Sequence, residues 1–234
     1  MKVDIWSDIR CPFCYVGKKK FEKALEQFPD GEKIEVNWHS FQLDPNLKTQ
    51  PETNPYEYFS KAKGIPVTQA KAMHEHAKNA GKEAGIDFNF DHSKVANSFR
   101  GHLLIQLAKK KGLANEMEEA LFEAQFITAK NIDDEATLLE IGTSVGLAEE
   151  DIKNALQSDE MAHEVSHDGL VARQLGINAV PYFVFNDKYG VSGAQQPELF
   201  LEVLEKSYSE FSAGDKGLQI IGQGESCDRD GNCD

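Results

Sequence analysis

With 234 residues, 40% of them hydrophobic and 27% charged, the chain is long enough for one or two domains with a real core and too apolar for a disordered protein. Lys and Arg number 25 against 39 Asp and Glu, a net charge of −14 that argues against a nucleic-acid partner, since phosphate binding needs clustered cations. No apolar run approaches the roughly 20 residues of a membrane-spanning helix, so no membrane partner is expected either.

In chain order, Val3-Asp4-Ile5-Trp6 alternates in polarity and predicts a short strand that turns at Ser7-Asp8. Neither a long apolar stretch nor a small-residue cleavage site follows it, so the expected compartment is the reducing cytoplasm. From Pro12 to Phe28 the apolar residues Val16, Phe21, Ala24, Leu25 and Phe28 recur at helical spacing, with Pro12 suited to a first turn. Ile34 to Trp38 alternates again. The opening therefore reads β-α-β, with a parallel strand pair joined by a right-handed crossover.

The next stretch predicts helices near 55–63, 67–84, 93–111, 114–129, 134–145 and 149–157, punctuated by Gly64, Gly85, Gly112 and Gly146. Lys109-Lys110-Lys111 reads as a solvated helix end. Glu160 to Leu175 predicts a further helix, packed through Val165, Leu170 and Leu175 and stopped by Gly176. Pro181 to Phe185 and Tyr189 to Ser192 predict two strands around an Asn186-Asp187-Lys188 turn, and Pro197 to Tyr208 a last helix. Residues 1–52 and 160–212 are expected to form one α/β domain, 53–159 an inserted helical domain, and 213–234 a flexible tail.

Four cysteines fall in two close pairs, Cys11 with Cys14 and Cys227 with Cys233. Cys11-Pro12-Phe13-Cys14 lies where the first strand hands over to a helix. A thiolate there faces unsatisfied backbone N–H groups and the positive end of the helix dipole, which favours Cys11 as nucleophile. Cys14, one turn further in, is expected to be the more buried, resolving thiol. Half a zinc site is the competing reading, but no second C-x-x-C supplies the other ligands. Val180-Pro181 opens a strand, which a proline tolerates at the first position; the sharper reading is a cis peptide beside the dithiol, with the Val180 backbone left to pair with an extended substrate.

Three separated motifs, Ser7 to Gly17, Leu175 to Phe185 and Gly190 to Gln195, resemble the DsbA-like thioredoxin-fold family, most closely its cytoplasmic FrnE-type branch. The resemblance runs from about residue 3 to 208. It implies a thioredoxin fold with a large helical insertion and thiol–disulfide oxidoreductase or isomerase activity at Cys11 and Cys14. It also implies a substrate groove shaped by Pro181, with Pro12, Phe13 and Val180 beside it. Protein or peptide thiols and disulfides, and glutathione, are the implied partners, with no cofactor and no metal. Phe13 stands where the periplasmic proteins usually carry a His, which implies a milder oxidant. Some FrnE-type relatives carry an extra C-terminal cysteine pair, and Cys227 and Cys233 are similar, so a redox relay to Cys11 is expected. The acids around this pair mimic the start of a calcium loop, but Gly231 is misplaced for one and the chain provides no closing Glu.

His163-Glu164-Val165-Ser166-His167 matches the zinc-protease pattern H-E-x-x-H, but it falls in the helix already assigned ahead of Val180 and lacks the motif's usual continuation. Two other functions stay open. One is a kappa-type glutathione transferase or hydroxychromene carboxylate isomerase-like enzyme, which uses a Ser-type residue at the nucleophile position. The other is a non-catalytic peptide-binding module, a holdase. The presence of both Cys11 and Cys14 favours redox chemistry.

Overall fold

The structure, a computed structural model, describes residues 1–213 and the backbone of 219–223 and 227–228. Strand β1 (Lys2–Ser7) leads through the Cys11 turn into helix α1 (Pro12–Gln27) and then strand β2 (Glu35–Ser40). Helices α2 (Pro55–Lys63), α3 (Val67–Glu83), α4 (Phe99–Lys111), α5 (Ala114–Phe126), α6 (Glu135–Ser144), α7 (Glu149–Ala155) and α8 (Asp159–Gln174) follow. The chain then returns through β3 (Ala179–Val180), β4 (Tyr182–Phe185), β5 (Tyr189–Ser192), α9 (Pro197–Ala213), β6 (Gln219–Gln223) and β7 (Cys227–Asp228). This is an α/β thioredoxin-like fold with a helical insertion.

The main sheet has the order β2-β1-β4-β5-β6. As the crossover argument requires, β1 runs parallel to β2, with Val3 opposite Val36; it runs antiparallel to β4, with Ile5 opposite Phe183. Placing β1 in the middle explains why five of its six residues are buried although the sequence alternates. Over this sheet Phe21 of α1 meets Phe183, Phe185 and Phe200 at 5.4, 6.0 and 5.6 Å between ring centroids, and Phe28 meets Tyr208 of α9 at 5.3 Å. Truncating a ring such as Phe21 to alanine costs about 3–5 kcal/mol. The other end of the core is aromatic as well: Tyr15 stacks on Phe122 at 4.9 Å, and Phe88, Phe90 and Phe126 pack together beside them.

Helix α4 is the hub of the insertion. Every residue from Gly101 to Ala108 is buried, the signature of a helix enclosed on all sides. It begins at Phe99, six residues later than the periodicity predicts. Ser93 to Asn97 instead cross an earlier loop: Gln50 N donates to Val95 O at 2.8 Å and Asn97 N to Thr49 Oγ1 at 3.0 Å, while Asn97 Oδ1 accepts from Phe99 N. Leu170 and Leu175 do not pack with Val165; they are 44% and 43% exposed, because α8 turns only one face to β2 and α4. The segment read as a flexible tail adds two strands that periodicity did not reveal. Strand β6 lies parallel to β5, and β7 lies antiparallel to β3 with Cys227 opposite Val180. Among the described residues no helix is long and apolar enough to cross a membrane.

Candidate functional site

Strand β1 ends in a turn built by Asp8. Its Oδ1 accepts from Arg10 N at 3.0 Å, its Oδ2 from Leu43 N at 2.8 Å, and its carbonyl from Cys11 N at 2.9 Å. An Asp side chain bonded two residues on is the usual way to set such a turn. This one delivers Cys11 to the N-cap of α1, in extended conformation (φ −91°, ψ 114°), with Pro12 in the first helical turn. The first turn carries no acidic side chain that would oppose a negative charge there. Cys14 follows one turn on, its N–H donating to Cys11 O at 3.0 Å.

Pro181 faces the helix across the site, and the Val180–Pro181 peptide is cis. Cys11 Sγ lies 3.7 Å from Val180 O. The approach of Pro181 to α1 depends on Gly17: a Cβ there would stand 2.9 Å from Pro181 Cγ and 3.4 Å from Phe183 Cζ. That accounts for the glycine closing the Ser7-to-Gly17 motif. The fold thus brings Cys11, Cys14, Val180 and Pro181 together. Both cysteines are free and buried, at 0% and 1% exposure, so the expectation that Cys14 is distinctly the more buried does not hold. Burial pushes the Cys14 thiol well above its ordinary range, and contact with Cys11 adds to the shift.

Cys11, Pro12 and Phe13 border a cavity of about 410 Å³ between the dithiol and the helical insertion. Its far wall is apolar, including Phe59, Met73 and Phe90. Arg10 and Lys94 add positive charge at its lining, against the carboxylate of Asp44. His74 is caged by Tyr56, Phe59 and Phe90, each at 5.0 Å, and bonds through Nδ1 to Ala70 O at 2.8 Å. Burial pulls its pKa below the ordinary histidine value, so it presents a neutral imidazole at neutral pH. Phe13 reaches His76 of α3 at 6.1 Å and so joins the Cys11 turn to the insertion.

For the tail pair, the backbone of Cys227 pairs with Val180, next to the dithiol; Cys233 lies outside the described residues. His163 and His167 stack at 6.3 Å on the exposed side of α8. Among the described residues, no three His, Cys, Asp or Glu side chains are grouped to hold a metal ion.

The sequence reading missed two polar clusters. His39 links Asp4 and Asp168 across β1, β2 and α8, with Nδ1 2.8 Å from Asp168 Oδ1 and Nε2 3.1 Å from Asp4 Oδ1. Asp168 also accepts from Ser40 N and Gln106 Nε2, at 2.9 and 2.7 Å. His102 of α4 reaches Asp8 at 3.5 Å, beside a fully buried Glu118 of α5. The available signal was a single polar residue within an apolar face: His102 and Gln106 in Gly101-His102-Leu103-Leu104-Ile105-Gln106-Leu107, and Glu118 beside Met117 and Leu121.

Residues 2–205 match the family of DSBA-like thioredoxin domains. A probable DsbA oxidoreductase from Streptomyces coelicolor, SCO1869, superposes with a TM-score of 0.83 at 33% identity, covering 100% of this chain and 98% of its own. An uncharacterized protein of Bacillus subtilis (strain 168), YwbO, is 29% identical over 206 residues, 85% of this chain and 92% of its own length. The cytosolic disulfide reductase DsbM from Pseudomonas aeruginosa, in a structure with GSH, shares the fold at a TM-score of 0.65 and 16% identity, covering 89% of this chain and 100% of that one.

Proposed function

The chain belongs to the DSBA-like thioredoxin domain family, a family of thiol–disulfide oxidoreductases, and from that premise we propose that it exchanges thiols and disulfides at Cys11 and Cys14 as a cytoplasmic enzyme of the FrnE-type branch. The observation that carries this reading is the Cys11 sulfur at the α1 N-terminus, 3.7 Å from the Val180 carbonyl. The Cys11 thiolate attacks a substrate disulfide, forming a mixed disulfide and releasing one substrate thiolate. Cys14 then attacks Cys11, and the electron pair of the broken S–S bond leaves with the second substrate thiolate. The dithiol loses two electrons and the substrate gains two. Run backwards, the same steps oxidise a substrate dithiol.

Ala179–Val180 offers an extended edge on which a peptide adds as a strand. The adjoining cavity suits an apolar residue next to the substrate cysteine, and Arg10 and Lys94 suit the carboxylates of a small thiol such as glutathione. That a structural relative was solved with GSH supports the second class. The antiparallel pairing of Val180 with Cys227 supports a relay in which the tail pair, Cys227 with Cys233, exchanges with Cys11. Tail and substrate then alternate on one edge.

The test is turnover of a fluorescent peptide disulfide with glutathione as reductant. We expect turnover by the natural protein and none by a Cys11→Ser, Cys14→Ser variant. Equal rates for the two proteins refute the reading.

A further inference from the structure

The cavity beside Cys11 is walled mostly by apolar side chains, but His74 of α3 stands among them. Tyr56, Phe59 and Phe90 ring it, with their planes at 77°, 84° and 85° to the imidazole. Its Nδ1 lies 2.8 Å from Ala70 O. A carbonyl only accepts, so Nδ1 carries the proton, and Nε2 of the neutral ring is a bare acceptor. Nε2 has no partner among the described residues, yet solvent reaches it. Gln125 of α5 borders the same cavity and repeats the pattern. Its Nε2 donates to Lys94 O at 3.2 Å, which leaves the buried Oε1 without a partner among the described residues. Ser93, also in the wall, donates its hydroxyl proton to Asn89 O at 3.1 Å. What these side chains leave unpaired is acceptors. Buried polar atoms are rarely left so, and here an occupant must bring the donor. A leucine would pack against three aromatic rings as well as an imidazole does; what His74 adds is the acceptor.

The rest of the lining narrows the choice of donor. Arg10, Lys63 and Lys94 set positive charge there against Asp44, which disfavours an ammonium or guanidinium tip. A carboxylate brings no donor, and its lone pairs would face that of Nε2. Phenylalanine or leucine fills the space but leaves Nε2 unpaired. Serine, threonine and the side-chain amides lack a ring to pack on Phe13, Phe59, Phe90 and Phe126. A phenol meets every condition, with an apolar ring, no charge and an O–H at its tip.

We propose that the cavity is a specificity site for a tyrosine of the substrate, within two residues of the reacting cysteine, whose ring lies on the aromatic wall and whose hydroxyl donates to His74 Nε2. The proposal rests on the thiol–disulfide reading of Cys11 and Cys14, and it replaces a general apolar preference with one side chain. Reach is adequate: in an extended peptide the second residue on either side shares the face of the cysteine, about 7 Å along the strand. The cavity opens at Cys11 itself, where that cysteine is held.

The experiment measures kcat/KM for glutathione-driven reduction of pentapeptide disulfides by the full-length protein. The peptides have a central cysteine among alanines, and one of the four flanking positions carries tyrosine, phenylalanine or O-methyltyrosine. At one position we expect tyrosine to exceed both others by about 10-fold or more, the scale of one hydrogen bond whose acceptor is otherwise left unpaired. In His74→Leu that ratio should fall to about 1, and His74→Gln, which keeps an acceptor, should restore part of it. Equal rates for tyrosine and phenylalanine at all four positions overturn the proposal. So does O-methyltyrosine matching tyrosine, or a tyrosine preference that survives His74→Leu. Should His74→Leu not fold, the ¹⁵N shift of His74 Nε2 decides, read on peptide adducts of Cys11 in Cys14→Ser. A change with the tyrosine peptide and none with the phenylalanine peptide supports the proposal, and equal shifts overturn it. Failure to reduce any peptide refutes thiol exchange itself, and it is distinct from a loss of selectivity among peptides that are reduced.

Discussion

Replacing His39 with Gln removes the cation that two buried carboxylates share. The side chains of His39, Asp4 and Asp168 are 21%, 9% and 7% exposed, so solvent screens the pairs only in part. The ring also stacks on Trp6 at 4.4 Å, in the strand that carries the chain into the Cys11 turn. Burial alone disfavours the imidazolium, but hydrogen bonds to Asp168 and Asp4 outweigh it and hold the His39 pKa above its ordinary value. Burial likewise pushes Asp4 and Asp168 up, and the bonds to His39 outweigh it, so both end below the usual range. Removing one partner of a buried pair costs about 3–5 kcal/mol. Here Lys2, 2.9 Å from Asp4, and Gln106, 2.7 Å from Asp168, remain to serve the carboxylates. We therefore expect about 2–3 kcal/mol, or a Tm lower by roughly 4–12 °C for a chain of this size. The raised His39 pKa contributes stability that is fully present below about 6.5 and lost as pH rises through the folded value. The lowered Asp4 and Asp168 contribute stability present above about 3.9 and lost in acid. The gap between parent and variant should thus be widest between those limits. Thermal unfolding at about pH 5.5 and about pH 9 checks this; equal gaps at both refute a charged His39.

Gly17→Ala forces a Cβ to 2.9 Å from Pro181 Cγ, so we expect a loss of about 1–3 kcal/mol in urea unfolding together with slower thiol exchange. Ending the chain before Cys227 should slow multiple-turnover exchange while single-turnover attack by Cys11 keeps its rate; matching turnover in the two proteins would remove the tail from the account.

The elements legible in the sequence are those whose signal is local. Cys11-Pro12-Phe13-Cys14 places a helix start at Pro12 because a proline and the apolar spacing behind it agree, and the structure begins α1 there. Val180-Pro181 with the apolar run Tyr182-Phe183-Val184-Phe185 marks the inner strand β4, and Tyr189 to Ser192, after the Asn186-Asp187-Lys188 turn, marks β5. What stays hidden depends on distant partners. Ile220 and Ile221 are an apolar island in a polar stretch, and they read as strand only once β5 offers an edge. The helix predicted from 93 loses its first six residues because Thr49 and Gln50 compete for the backbone of Asn97 and Val95. His102 and Glu118 look like ordinary polar interruptions of helix faces, since only the packing of α4 and α5 around the Asp8 turn encloses them. Gly17 is the intermediate case: visible in the motif, and explained by Pro181, more than 160 residues away.

The division of labour between the two thiols is tested most directly by mass spectrometry of mixed disulfides formed with a peptide disulfide, comparing Cys14→Ser with Cys11→Ser. Cys11 lies at the α1 N-terminus, bordering the cavity, and Cys14 is held inside the first turn with its thiol pushed up by burial. A stable adduct on Cys11 is expected in the Cys14→Ser protein and no adduct on Cys14 in the Cys11→Ser protein. An adduct on Cys14 in Cys11→Ser with none on Cys11 in Cys14→Ser would contradict it.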